Sequence, residues 1–313
     1  MKAVVLDEER RLELREVPGP EVGDGQVVVD VRAAGVNYAD VLIREGRYPQ
    51  PPPLPFVPGS EIAGVTAGGR RVIGFVREGG GGYAERAVVD EDWLFDLPGG
   101  ASFEEGAAFL LAFLTAWMPL TRQARVTDGS RVLVTAAAGG VGSAGVQVAR
   151  ALGGSVVGAV GSEEKLERVR ALGAEAVTYD AIGELEPFDV ILDQVGGDVF
   201  AASVGRLRPL GTLVGIGFAG GAWQPVDPAL LVGRNVSIAG FYLGRLMKLR
   251  PDLVREAALE LLARWSAGDL SPVVGATYPL ADAEAALRLV ADRRSTGKVV
   301  LVPPHGGSDP DTA

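Results

Sequence analysis

The stretch from Arg131 to Gly153 constrains the fold more than any other part of the chain. It reads RVLVTAAAGGVGSAGVQVARALG, in which a short β-branched run is followed by small residues and then by apolar residues at helical spacing. This order predicts a strand, a tight turn and a helix. The turn carries the spacing G-x-G-x-x-G at Gly140, Gly142 and Gly145, and a second strand is predicted at residues 155–160.

A glycine-lined bend before a helix is typical of a nucleotide-binding loop. Backbone without side chains lets a pyrophosphate approach the helix N-terminus, where unpaired N–H groups and the helix dipole favour negative charge. We therefore expect a dinucleotide to bind at Gly139, Gly140, Val141 and Gly142. The alternative is a glycine-rich contact between helix and strand without a ligand, but the strand on each side favours the nucleotide.

Composition excludes several classes of function. The chain has 313 residues, of which 47% are hydrophobic and 22% charged, as expected for a globular protein of two domains. A net charge of −10 without a basic cluster argues against nucleic-acid partners, RNA included. There is no cysteine and only one histidine, His305 in a polar tail, so we predict no zinc or other metal site. Without cysteine, signal peptide or membrane span, the expected location is the cytoplasm.

Two patterns divide the chain. The first 100 residues are rich in short strands, prolines and glycines, which predicts an irregular barrel. From residue 112 to 244, strands and helices alternate, which predicts a doubly wound parallel sheet. The predicted barrel strands are residues 1–6, 27–31, 72–76 and 83–89, with a turn at 65–71 and a glycine turn at 79–82. The later predicted strands are 176–179, 188–193, 213–216, 236–241, 273–278 and 298–302. The predicted helices are 106–120, 163–172, 198–207, 251–267 and 281–292.

Four stretches, in order along the chain, carry a resemblance to a known family. They read GVNYADVLIREGRYP with PFVPGSEIAGV, then AAAGGVGSAGVQVARALG, then SEEKLERVRALGAEAVTY, and finally STGKVVLV. The sequence resembles the zinc-free, zeta-crystallin-like quinone oxidoreductases of the medium-chain dehydrogenase/reductase superfamily. The resemblance implies an α/β protein, usually a homodimer. It implies a GroES-like irregular β-barrel catalytic domain at residues 1–111 and 251–313, and a Rossmann dinucleotide-binding domain at residues 112–250.

The end of the second strand of the alternating region favours NADPH over NADH. NAD enzymes place a carboxylate there for the ribose hydroxyls, whereas this strand ends in Gly161 and Ser162. Ser162, Lys165 and Tyr179 offer the cation and hydroxyl groups that a 2′-phosphate needs, and similar family positions do this. Alternatively, Lys165 is simply an exposed helix residue. Glu163 and Glu164 would repel the phosphate if they turned inward, but they also suit a first helical turn.

Further nucleotide contacts are expected where other strands end, because ligands bind beyond the carboxyl ends of strands in open α/β sheets. These residues are Gln194, Val195, Gly215, Gly217, Phe241 and Leu243. Trp223 and Tyr242 are interpreted as core or interface aromatics.

Candidate catalytic residues come from the family-like segment near the start of the chain. Tyr48, Asn37 and Asp40 lie in the segment that would face the nicotinamide, and Tyr48 could hydrogen-bond the cofactor or the substrate oxygen. Thr115 has a family role near the nicotinamide. Asn37 and Asp40 also have the spacing of a helix cap pair. Thr115 could instead bond to its own helix backbone.

The chemistry that these features predict is hydride transfer without a metal. An acceptor that no metal polarises has to be electron-poor, which favours quinones and other α,β-unsaturated carbonyls over simple ketones. The sequence does not choose between quinone, enone and a carrier-bound enoyl substrate. A non-catalytic NADPH-binding sensor or structural protein is the alternative from another class.

Overall fold

The computed structural model describes residues 1–76 and 81–304, which form two compact units. Unit 1 contains the chain up to Leu110 and again from Val274, and unit 2 contains Leu111–Val273. Two sequence predictions lie outside the described residues: His305 with its tail, and positions 79 and 80 of the predicted glycine turn.

The elements are numbered in chain order. The strands are β1 (Lys2–Leu6), β2 (Leu12–Glu16), β3 (Gln26–Val36), β4 (Glu61–Thr66), β5 (Arg71–Val76), β6 (Arg86–Asp96), β7 (Arg131–Val134), β8 (Ser155–Val160), β9 (Glu175–Thr178), β10 (Phe188–Asp193), β11 (Leu207–Gly215), β12 (Ser237–Gly240), β13 (Val274–Pro279) and β14 (Lys298–Val302). The α-helices are α1 (Tyr38–Arg44), α2 (Phe103–Ala107), α3 (Leu110–Met118), α4 (Gly140–Ala151), α5 (Leu166–Ala171), α6 (Gly197–Val204), α7 (Pro228–Arg234), α8 (Leu243–Leu249), α9 (Pro251–Ser266) and α10 (Ala283–Ala291).

Unit 2 is built on a six-stranded sheet in the order β12-β11-β10-β7-β8-β9. Every neighbouring pair in it is parallel. The inner strands β7, β8 and β10 are mostly apolar and buried, because helical connections cover parallel sheets on both faces. Strand order reverses between β7 and β10, which is the switch point where doubly wound sheets bind dinucleotides. The predicted Rossmann sheet is confirmed.

Unit 1 is an irregular barrel in which β3 is the shared strand. One part of β3 pairs with β6, another with β4 and its end with β14, while β5 joins β4 to β6. Val29, Ile62, Val72 and Val89 are buried inside this ring. The predicted barrel is therefore confirmed, and β14 brings the end of the described chain back to the same sheet.

Some predicted boundaries differ from the structure. The predicted strand at 83–89 begins only at Arg86, because the Tyr83 carbonyl is already bonded to Val4 N–H of β1. Strand β4 was not predicted, and its residues Val65 and Thr66 replace the start of the predicted turn. The predicted helix at 198–207 ends at Val204, because Leu207 pairs with Phe188 in the sheet.

Two further segments differ from the expected domain division or have an unusual composition. The predicted barrel domain included residues 251–273, but α9 belongs to unit 2 and the chain enters unit 1 at Val274. The helical segment Phe103–Gln123 is long and apolar enough to cross a membrane by length and composition. However, 72% of its most apolar window is buried inside the protein, which is the behaviour of a core helix.

Candidate functional site

The bend between β7 and α4 has a backbone that only glycine permits. A Cβ at Gly142 would lie 2.0 Å from the carbonyl oxygen of Ala136, so no side chain fits there. Ala136 adopts φ 47°, and its carbonyl accepts the Gly139 N–H at 2.8 Å, which tightens the turn before the helix. The first amides of α4 have no partner within the helix, so this end offers donors to an anion.

At the tip of β8, the structure brings together Gly161 and Tyr179, two of the predicted cofactor-binding positions. A Cβ at Gly161 would lie 3.3 Å from the Tyr179 ring, so that ring packs directly over the glycine. Ser162 begins the 3-10 turn Glu163–Lys165, in which Lys165 N–H donates to the Ser162 carbonyl at 3.2 Å. Glu163 and Glu164 are exposed, whereas Ser162, Lys165 and Tyr179 are half-buried.

At the switch point, a buried carboxylate links the ends of β7 and β10. Asp193 accepts hydrogen bonds from Thr135 Oγ1 at 2.8 Å, from Gly196 N at 2.9 Å and from Val195 N at 3.3 Å. Thr135 Oγ1 in turn accepts the Gln194 N–H at 3.0 Å, and Gln194 Nε2 donates to the Thr135 carbonyl at 2.7 Å. These hydrogen bonds hold the ends of strands β7 and β10 together and fix the turn after β10.

The remaining predicted nucleotide positions lie at the neighbouring strand ends. A Cβ at Gly217 would be 3.2 Å from the Gln194 carbonyl, so the segment after β11 packs on the turn after β10. Phe241 N–H donates to the Gly215 carbonyl at 3.0 Å, and Leu243 is buried at the start of α8. Trp223 and Tyr242 are exposed, so neither is a core residue.

Unit 1 contains a buried ionic network that the sequence did not reveal. Lys298 of β14 donates to Glu61 Oε1 at 2.6 Å, to Asn37 Oδ1 at 2.6 Å and to the Val36 carbonyl at 3.2 Å. These three acceptors match the three donors of an ammonium group. Asn37 Nδ2 also donates to Glu61 Oε1 at 3.1 Å. Lys298 is 5% exposed and Glu61 1%, so the pair is held out of water.

Asp40 extends this network to Tyr83. Its Oδ2 accepts the Asn37 backbone N–H at 2.8 Å, which is the carboxylate half of a capping box at the start of α1, and the Tyr83 hydroxyl at 2.8 Å. Burial raises the pKa of Asp40 to about 6, although the two hydrogen bonds and the charge of Lys298 act in the opposite direction. Burial and the Asp40 charge also raise the pKa of Tyr83 well above its usual range.

This geometry distinguishes the four predicted catalytic residues. Asn37 and Asp40 are buried and use their polar atoms within the network, so they are arranged as positioning groups for the β3–α1 junction. Tyr48 is half-buried in the segment that follows α1, where its N–H donates to the Leu42 carbonyl. Thr115 is half-buried in α3 of unit 2.

Sequence reasoning missed Glu61, Tyr83, Lys298, Thr135 and Asp193. A signal existed for three of them. Glu61, Asp193 and Lys298 each stand at the end of an apolar strand, in EIAGV, FDVILD and KVVLV, and a charge in such a position is buried only when it is paired. The partners could not be read from the sequence, because Lys298 and Glu61 are 237 positions apart.

The Asp40 carboxyl makes the stability of the barrel depend on pH. Its pKa of about 6 in the folded chain exceeds the ordinary value of 3.8, so the folded state binds the proton more tightly. The resulting stability is fully present below pH ~4 and is lost as the pH rises through 6. Between pH 5 and 7 we expect the wild type to lose about 1 kcal/mol relative to Asp40→Asn in urea unfolding. Asp24→Asn, at an exposed position, is the control and should follow the wild type. Parallel curves for wild type and Asp40→Asn would contradict this assignment.

Comparison with known proteins finds relatives for both units of the chain. Residues 140–264 match the family model for a zinc-binding dehydrogenase, and residues 23–99 match the alcohol dehydrogenase GroES-like domain. Quinone oxidoreductase-like protein 2 homolog of Nematostella vectensis is 36% identical over 301 residues, covering 90% of this chain and 82% of the relative. The quinone oxidoreductase of Thermus thermophilus, studied also as its NADPH complex, is 43% identical, with a TM-score of 0.88 over 96% of this chain and 100% of that one. A mycobacterial protein solved with NADPH is 31% identical, with a TM-score of 0.89 over 97% of this chain and 100% of that one.

The residues of this chain do not fit the zinc named in one of these models. The sequence has no cysteine and a single histidine. Within residues 1–76 and 81–304, no three His, Cys, Asp or Glu side chains are grouped so as to hold a metal ion. The donor set that zinc prefers is therefore missing.

Three observations lead to the same family. They are the barrel with its returning strand β14, the parallel sheet with its glycine bend, and the extent of the similarities to known proteins. The chain belongs to the medium-chain dehydrogenase/reductase superfamily and, within it, to the quinone oxidoreductase-like family.

Proposed function

We propose that this protein is a zinc-independent, NADPH-dependent oxidoreductase that transfers hydride to quinones or other α,β-unsaturated carbonyls. The observation that carries the proposal is the bend at Gly142, where the Ala136 carbonyl occupies the space of any side chain and α4 begins with amides that have no partner within the helix. The similarity of this chain to the Thermus quinone oxidoreductase, which has been solved with NADPH, supports the same interpretation.

The residues present fit both of the charged groups of NADPH, the pyrophosphate and the 2′-phosphate. The pyrophosphate would lie on the amides of Gly140, Val141 and Gly142, as helix N-termini favour. The 2′-phosphate would be held by Ser162, Lys165 and Tyr179, since β8 ends without a carboxylate and Glu163 and Glu164 are exposed. The remaining contacts would come from the backbone around Gln194, Val195, Gly215, Gly217, Phe241 and Leu243.

When bound, NADPH would supply a hydride to the electron-poor carbon of the acceptor, and a proton from bulk solvent would complete the reduction after the hydride has been transferred. The protein has to bind and orient both reactants and exclude water from them. Tyr48, with its phenol at a half-buried position, is the group that would hydrogen-bond the substrate oxygen. Asn37 and Asp40 would act by fixing the segment that carries it.

A screen for turnover tests the proposed reaction. We expect the protein to oxidise NADPH with members of a quinone panel or an enone panel, without added metal and unaffected by a chelator. A carrier-bound enoyl substrate as the preferred acceptor would identify an enoyl reductase instead. Tight NADPH binding with no turnover on any panel would contradict the enzyme and support a sensor.

Lys165 tests the choice of cofactor. Loss of a charged hydrogen bond to the 2′-phosphate costs about 1.5–3 kcal/mol, so kcat/KM with NADPH should fall roughly 10- to 150-fold in Lys165→Ala. The value with NADH should stay within about twofold, because that cofactor lacks the phosphate. Arg168→Ala, at an exposed position one turn further along, is the matched control. Equal losses with both cofactors would remove Lys165 from the 2′-phosphate site.

We also propose a homodimer formed through the edge of the unit 2 sheet. Strand β12 is the outer strand of this sheet, and open edges invite pairing. Beside it lie two strongly exposed apolar side chains, Leu210 at 87% and Val232 at 78%. They are connected through Asn235, which accepts the Leu210 N–H and donates to the Val232 carbonyl. A second copy of the chain is the occupant that would cover this edge.

Light scattering after gel filtration tests the dimer. We expect twice the chain mass of 32.5 kDa for the wild type and the chain mass for the double variant Leu210→Lys/Val232→Lys. Leu259→Lys, on the exposed side of α9, is the control and should remain dimeric. A wild type that stays monomeric at every concentration would refute the proposal.

A further inference from the structure

We propose that Asp193 is a fixed negative charge that makes the protein bind NADP⁺ more tightly, relative to NADPH, than it otherwise would. This inference builds on the proposed NADPH function and adds to it a determinant of which redox state of the cofactor is favoured. None of the residues expected from the sequence has this role.

The surroundings of Asp193 are those of an ionised carboxylate. It is fully buried, and its three hydrogen-bond partners, Thr135 Oγ1, Val195 N and Gly196 N, all donate to it. A carboxyl O–H would need an acceptor, whereas a carboxylate is an acceptor only. Burial raises the pKa of Asp193, and these three donors oppose the rise.

The position of Asp193 connects this charge to the cofactor. It is the last residue of β10, and β10 pairs with β7 at the reversal of strand order. In this architecture the dinucleotide crosses the sheet at that point. The strands on the β7 side serve one mononucleotide half, and those from β10 onward serve the other. The adenine end is assigned to β8 and β9 by Ser162, Lys165 and Tyr179, which leaves the nicotinamide half at β10 and β11.

The charge difference between the two cofactor forms gives the effect its sign. The nicotinamide ring carries a positive charge when oxidised and none when reduced. A buried negative charge on that side of the sheet attracts the oxidised form and leaves the reduced form nearly unaffected. Because Asp193 is held by main-chain and Thr135 donors, it cannot turn away when the ring charge changes. The same charge therefore favours NADP⁺, the form of the cofactor that remains after the hydride has left.

The ratio of two dissociation constants tests this inference. We expect Asp193→Asn to weaken NADP⁺ relative to NADPH by roughly three- to tenfold, the scale expected for one unit charge in partly polar surroundings. Both constants are measured by titration, NADPH by its fluorescence and NADP⁺ by calorimetry or displacement. Should Asp193→Asn fail to fold, Asp193→Ser also removes the charge and keeps an oxygen that can accept the Gly196 N–H.

Two controls separate charge from structure. Asp189→Asn changes the same residue type at the opposite end of β10, where Asp189 pairs with Arg208, and should leave the ratio unchanged. Thr135→Val removes the hydroxyl and keeps the Asp193 charge, so it should shift both constants together.

Each outcome has one meaning. A ratio unchanged in both neutral variants, with tight binding by the wild type, would overturn the role of Asp193 and leave the proposed function intact. A wild type that binds neither form of the cofactor would overturn the proposed function itself.

Discussion

The close approach of the Ala136 carbonyl to Gly142 is the constraint on which unit 2 depends. With 2.0 Å between that oxygen and the place where a Cβ would stand, β7 can turn into α4 only through glycine. The same bend bears on what the sheet could bind, since α4 begins just after the carboxyl end of β7 with amides that have no partner within the helix. Beside it, Thr135, Asp193 and Gln194 lock β7 to β10 at the reversal of strand order. The backbone geometry at Gly142 therefore determines both the connection from β7 to α4 and the proposed binding site for the dinucleotide.

In unit 1 the interaction on which the structure depends is the buried ionic network around Lys298. Lys298 comes from the returning segment of the chain, and its acceptors Val36, Asn37 and Glu61 come from the first. Removing one member of such a pair leaves an unpaired buried charge and costs several kcal/mol, about 3–5 in comparable cases. The network thus specifies where β14 joins the barrel and how α1 begins. It also explains why Asn37 and Asp40 follow the family pattern without having to touch a substrate.

Much of this architecture can be predicted from the sequence, and the reasons are physical. Strands β8, β10 and β14 have the predicted bounds because each is a short, mostly apolar run that is followed by glycine, proline or a polar residue. The helix at Gly140 follows from its glycines and its 3.6-residue period. Strand β4 was missed because EIAGVT is short and begins with a carboxylate whose partner, Lys298, lies 237 positions away. The Asp193 network was missed for a related reason: its bonds form between strands that are neighbours only in the folded sheet.

We propose that the amides at the bend of unit 2 hold a pyridine dinucleotide with a 2′-phosphate. Calorimetric titration of the wild type and of Gly142→Ala with NADPH tests it most directly, with circular dichroism to show that the variant is folded. The account predicts saturable heat for the wild type and loss of that heat in the folded variant, because a methyl group at residue 142 displaces the Ala136 carbonyl and with it the start of α4. A wild type without binding heat, or a folded Gly142→Ala that binds NADPH as tightly as the wild type, would contradict it.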